Sequence, residues 1–179
     1  MSSTLRFVLR ALACHVATYF VAGIAAMRLA DYATLFARPD VAVLMRPLDD
    51  PWVAAGPTMQ VLRGLVLGLA LRPVWPALRT SPRGWLALWG LLVGLAGLGA
   101  TGAAPGSLEG IVYTVLPLDF HLRGWPEVLA QTLAFACLLH RWERSPSRWL
   151  AVPVIATAAL AIVASALGVA AALGLLPPS

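Results

Sequence analysis

Five long apolar runs dominate the chain, separated by stretches rich in arginine, proline and acidic residues. A bilayer core takes about 20 mostly apolar residues per helix. The runs predict spans over about 6–28, 56–74, 83–103, 125–141 and 148–175. Residues 11–27 and 84–108, and everything after Arg148, carry no charge. Arg63 interrupts the second run, and the fourth is short, with Glu127 near its head. Leu108, Ile111, Val112, Val115 and Leu116 recur at helical spacing. They predict a short amphipathic helix over about 107–116, ended by Pro117 and either interfacial or re-entrant. The fold expected is all-α: a polytopic transmembrane helix bundle forming one integral-membrane domain over 1–179.

Start and stop signals agree with these borders. Proline suits the first helical position, where its missing N–H costs nothing. Pro57, Pro82, Pro126 and Pro146 stand at the heads of four runs, with Ser81 and Ser145 as expected N-caps. Arg72-Pro73 closes the second run, and Pro153 is expected to bend the fifth. Six of the seven tryptophans lie beside a predicted helix end, the headgroup level an indole prefers. The first span has Arg6 and Arg10 before its apolar core, as a signal peptide would. Its length, His15 and Tyr19 favour a retained helix.

Composition narrows the class. The chain is 60% hydrophobic and 12% charged, with a mean hydropathy of +0.81. A soluble domain carries about twice that share of charge, so a soluble enzyme and a disordered chain are excluded. All 13 basic residues are arginine, and lysine and asparagine are absent. This is the codon bias of a GC-rich, bacterial genome. The net charge of +5 does not imply nucleic-acid binding, because no basic patch has interleaved aromatics and the arginines punctuate the apolar runs.

With the N-terminus inside, eight arginines fall on the cytoplasmic side and four outside, which obeys the positive-inside rule. The expected location is a bacterial inner membrane, N-terminus in and C-terminus out. Seven of the eight acids then lie outside. Small-residue seams that let helices approach occur at Gly64/Gly68, Gly90/Gly94 and Ala164/Gly168/Ala172. The apolar pieces Leu35-Phe36 and Val41–Met45 are expected on the membrane surface.

Candidate chemistry gathers in the outer half. Arg63 is a charge within a span and hence a functional candidate, although its side chain is also placed to snorkel outward. Gln60 shares its face. Glu127 answers the positive end of its helix, and Gln131 follows one turn on. Arg63 and Glu127 are expected to meet if the second and fourth helices are neighbours. The short outer helix carries Glu109 and Tyr113 one turn apart, and Asp119 and His121 follow. Asp49, Asp50, Glu109, Asp119 and His121 match no metal-ligand spacing, so an acidic rim is expected rather than a metal site. His15, near mid-span, and His140, at an inner end, lie at incompatible depths for haem, and His15 is expected to bond a neighbouring helix. Cys14 and Cys137 are read as packing residues. No cofactor is expected.

No serine elbow, P-loop, dinucleotide fingerprint or zinc-protease motif is present. The function expected is therefore a non-catalytic subunit, scaffold or accessory component of a membrane assembly. Its expected partners are the lipid bilayer and either further copies or other membrane subunits. The alternatives are a small oligomeric transporter using Arg63, Glu127 and Gln131, and a membrane enzyme working on a lipid-linked substrate at the outer face through Glu109, Asp119 and His121.

Overall fold

The computed structural model describes residues 2–98 and 102–176, and the described residues are all-α. Five long helices follow the five apolar runs: α1 (Ser3–Leu29), α5 (Gly56–Leu71), α7 (Gly84–Leu98), α10 (Trp125–Arg144) and α11 (Arg148–Ala172). Residues 99–101 of the third predicted span, and the final 177–179, lie outside the described residues. Short helices fill the connections: α2 (Tyr32–Ala37), α3 (Pro39–Ala42), α4 (Pro51–Ala54), α6 (Trp75–Thr80), α8 (Leu108–Tyr113) and α9 (Leu118–Arg123).

Among the described residues only α1 and α11 are both long and apolar enough to cross a bilayer by themselves. At 1.5 Å per residue they reach about 40 and 37 Å. The shorter apolar helices α5 and α7 reach about 24 and 22 Å. Most of the most apolar stretch of α11 is exposed, with 22% buried, whereas the core helix of a water-soluble domain would be mostly covered.

Successive long helices run antiparallel. One end collects the start of α1 and the end of α10, with most of the arginines, and the other collects most of the acids. These are called the arginine end and the acidic end. The hub is α1, which packs on α5, α10 and α11, while α7 packs on α10. The α1–α5 seam works inside one chain. A Cβ on Gly64 would lie 2.9 Å from Leu12 Cα, and one on Gly68 would lie 3.0 Å from Val8 Cα. Only glycine admits so close a backbone approach, and in lipid such approach supplies much of the contact energy. Gly90 and Gly94 face open space instead. On α11 the buried stripe is Val154, Ala158, Ala161 and Ser165, not the expected Ala164/Gly168/Ala172. Ser165 explains the offset, because its hydroxyl donates to the Ala54 carbonyl at 2.6 Å and accepts from Thr58 N at 3.3 Å.

Capping corrects two details. Ser147, not Ser145, caps α11 by accepting from Trp149 N, and Ser145 instead ends α10. The helix α11 continues through Pro153. The amphipathic outer helix is shorter than expected, covering Leu108–Tyr113, with Ser107 accepting from Gly110 N.

The outer connections form a second, small core that takes in Leu35 and Val41 of their apolar pieces, while Val43 and Leu44 stay exposed. Leu35 and Val41 are buried against Leu116 and Phe120, with Tyr32, Phe36 and Met45 packed around them. Segments 29–55 and 104–124 therefore cap the acidic end as one layer. Arg38 ties the layer by ion pairs to Asp40 at 2.7 Å and Asp119 at 2.6 Å. These pairs hold both carboxyls below the usual aspartate range.

Candidate functional site, a polar cavity between four helices

His15 is the buried centre of the bundle's polar chemistry, 3% exposed on the face of α1 that meets both α5 and α10. Its Nε2 lies 3.1 Å from Gln60 Oε1, and its Nδ1 lies 3.4 Å from Gln131 Nε2. A glutamine amide nitrogen can only donate. Nδ1 is therefore the acceptor and Nε2–H the donor to Gln60, which defines a neutral imidazole in one tautomer. Gln131 Nε2 also reaches Thr18 Oγ1 at 3.3 Å, and that hydroxyl donates to the Cys14 carbonyl at 2.8 Å. The ring of Phe135 meets His15 edge-on at 5.8 Å. A chain of polar side chains thus links three helices, and burial makes each bond costly to remove.

Beside this chain lies a cavity of about 170 Å³. Polar side chains reach it from α1 (His15, Tyr19), α5 (Arg63) and α10 (Glu127, Gln131, Thr132). Leu67, Leu92, Ala96, Val128 and Phe135 complete the wall. Because α5 packs on α1 and α11, and α7 packs on α10, the two shorter helices flank the cavity from opposite sides. At roughly 30 Å³ per water the space suits about five waters or one small polar solute.

Arg63 and Glu127 share the cavity, but not through direct packing of their helices, since α1 lies between α5 and α10. Among the described residues Arg63 forms no ion pair. Glu127 Oε2 accepts the Tyr32 hydroxyl at 2.5 Å. Burial and this carboxylate push the Tyr32 phenol well above the ordinary tyrosine range. A residue of the outer layer therefore holds the carboxylate at the cavity mouth.

The candidates divide. Arg63, Glu127 and Gln131 line one cavity, and Gln60 joins it through His15. Glu109, Tyr113 and Asp119 are exposed on the outer layer, away from it. His121 is 1% exposed and structural, with Nδ1 accepting from Gly106 N at 3.0 Å and Nε2 lying 3.3 Å from Thr114 Oγ1. Asp50 caps α4 through Trp52 N and pairs with Arg46. Among the described residues no three of the acids, histidines or cysteines gather as a metal site would require. Glu109, Tyr113, Asp119 and His121 thus stay off the cavity, which the outer layer reaches through Tyr32 instead.

Sequence reasoning did not select Tyr32 or Thr18 for the site. Both are unremarkable in the linear pattern. Only the fold brings Tyr32 to a carboxylate 95 residues away. The expected link from His15 to a neighbouring helix is present, and it reaches two helices.

Comparisons with protein-family models, curated proteins and solved structures give no match.

Proposed function

We propose that the chain is a five-span protein of a bacterial inner membrane, with the arginine end in the cytoplasm, and that it is a non-catalytic binding or permeation component for a small polar solute. The carrying observation is the shared cavity. Arg63, Glu127, Gln131, His15 and Tyr19 converge from three helices on one space within the bundle. Ionisable side chains at that depth are costly to retain without a task.

Lipid as the solvent is supported by the exposed apolar surfaces. Leu62, Leu65 and Leu69 on α5, Leu91 and Leu95 on α7, and Ile155, Leu160 and Val163 on α11 all face outward. Water-soluble monomers rarely carry apolar surface on that scale. An enzyme of the outer face draws no support from the scattered Glu109, Asp119 and His121.

The test is flux of small polar solutes in liposomes containing the purified protein. Protein-dependent flux is expected, and it should fall at least tenfold in Arg63→Ala and Glu127→Ala chains that keep wild-type helicity. Flux no greater than in empty liposomes, or unchanged in both variants, rejects the reading.

A second reading, an accessory subunit of a larger assembly, draws on α7. Gly90 and Gly94 form an open seam there, with none of the described residues against it. Gentle solubilisation that yields only monomers without partners would reject it.

A further inference from the structure

At the arginine end, a second and larger space of about 510 Å³ opens between the start of α7 and the end of α10. Pro82 and Trp85 line one side, and Cys137, His140, Arg141 and Arg144 line the other. Its two guanidiniums are positioned yet largely unused. Arg141 Nη1 donates to the Ser145 carbonyl at 3.3 Å, and Arg144 Nη1 donates to the Ser81 carbonyl at 3.5 Å. A guanidinium carries five N–H donors, so most remain available to a ligand.

No carboxylate competes for them. Of the eight acids only Glu143 lies at this end. It is bound to Arg10 at 2.6 Å with its side chain 11% exposed. Arg10 in turn lies over the Trp142 ring at 5.5 Å, which holds that pair against α1. The space therefore presents uncompensated positive charge, in a form that matches phosphate oxygens two at a time.

The two walls differ with depth. Cys137 sits one helical turn further into the bundle than Arg141 and is exposed. The deep part of the space is thus apolar and open to the side, while its rim is cationic. A ligand with an anionic head and a hydrocarbon tail fits both parts, and a free phosphate uses only the rim.

We propose that this space binds the phosphodiester head of an anionic phospholipid, with an acyl chain lying past Cys137 between α7 and α10. Basic pockets between helices on the cytoplasmic side of membrane proteins suit such heads.

The test uses the purified full chain in a neutral detergent, titrated with phosphatidylglycerol or phosphatidylcholine and followed by native mass spectrometry. The first phosphatidylglycerol should bind about thirtyfold more tightly than phosphatidylcholine, the scale expected of two arginines at a lipid surface. Arg141→Ala/Arg144→Ala should abolish that preference. Arg79→Ala/Arg148→Ala, which removes equal charge at the same end outside the space, should keep it. Excess inorganic phosphate should leave the lipid bound. Should the first double variant fail to fold, the wild-type chain still decides, because phosphatidylglycerol should slow reaction of Cys137 with a neutral maleimide and phosphatidylcholine should not. Equal retention of both lipids, equal loss in the two double variants, displacement by phosphate, or unprotected Cys137 each overturns the proposal.

Discussion

The Tyr32 hydroxyl donates to Glu127 Oε2 at 2.5 Å, joining the outer layer to the first turn of α10. Tyr32 also stacks on Phe36 at 5.3 Å, and Phe36 packs on the small outer core. The cavity mouth and the cap are therefore mechanically one unit. Any movement of the cap that carries Tyr32 away releases the carboxylate beside Arg63.

That coupling predicts a specific titration. The Tyr32 phenol is held above the ordinary tyrosine value, first by burial and then by its bond to Glu127. A group whose folded value is raised contributes stability that is complete below the unfolded value, near pH 10, and is lost as pH rises toward the folded one. Unfolding midpoints should fall above about pH 10 in the wild type. Tyr32→Phe should flatten that alkaline decline, and Glu127→Gln should bring the tyrosine absorbance transition closer to normal. An unchanged alkaline decline in Tyr32→Phe would remove the assignment.

The His15 hub should reveal itself energetically. Replacing His15 by Leu leaves the Gln60 and Gln131 amides without their ring partners. Bonds of this kind between membrane helices are worth about 1 kcal/mol. His15→Leu should lower stability by about 1–2 kcal/mol. A double-mutant cycle with Gln131→Leu should recover a positive coupling, measured by reversible unfolding in mixed micelles. Strict additivity would separate the two residues.

Two glycine pairs offer a contrast within one experiment. Gly64→Leu or Gly68→Leu must push α5 off the α1 backbone, at a cost of about 1–3 kcal/mol or more. Gly90→Leu and Gly94→Leu meet open space and should leave the monomer's thermal midpoint nearly unchanged. Should the latter pair instead dissociate a complex seen by light scattering, the open α7 seam is an interface between copies.

The outer layer should loosen in acid. Arg38 holds Asp40 and Asp119 below their ordinary values. Depressed carboxyls contribute stability that is present above about pH 4 and is lost as pH falls through the folded values. Amide exchange across α9 should therefore accelerate below about pH 4 and at high salt, because these exposed pairs are screened. Arg38→Ala should remove both dependences while leaving exchange in α1 unaltered.

Much of the architecture was legible from the linear pattern, for identifiable reasons. A helix satisfies its own backbone hydrogen bonds, so an apolar run without internal breakers specifies one almost locally. Proline at Pro57 and Pro126 then marks its start. The small connecting helices were less legible, because Leu35 and Val41 look like surface anchors until Leu116 and Phe120 arrive from 104–124 to bury them. Ser147 displaced Ser145 as a cap for a similarly geometric reason, since both serines flank Pro146 and only the final turn of α10 decides between them.

The sequence by itself determined that the chain is all-α, that its long helices are apolar, and that a few polar side chains would sit among them. Each of these follows from interactions within a few residues. Tertiary structure alone decided which polar groups share a space. Gln60, His15 and Gln131 meet because Gly64 and Gly68 let α5 close on α1 while α10 packs on the same helix beside it. His121, an equally plausible candidate in the linear pattern, was committed to backbone bonding in the cap. Side-chain chemistry is a property of the residue, but which groups it faces depends on helix crossings that no local pattern encodes.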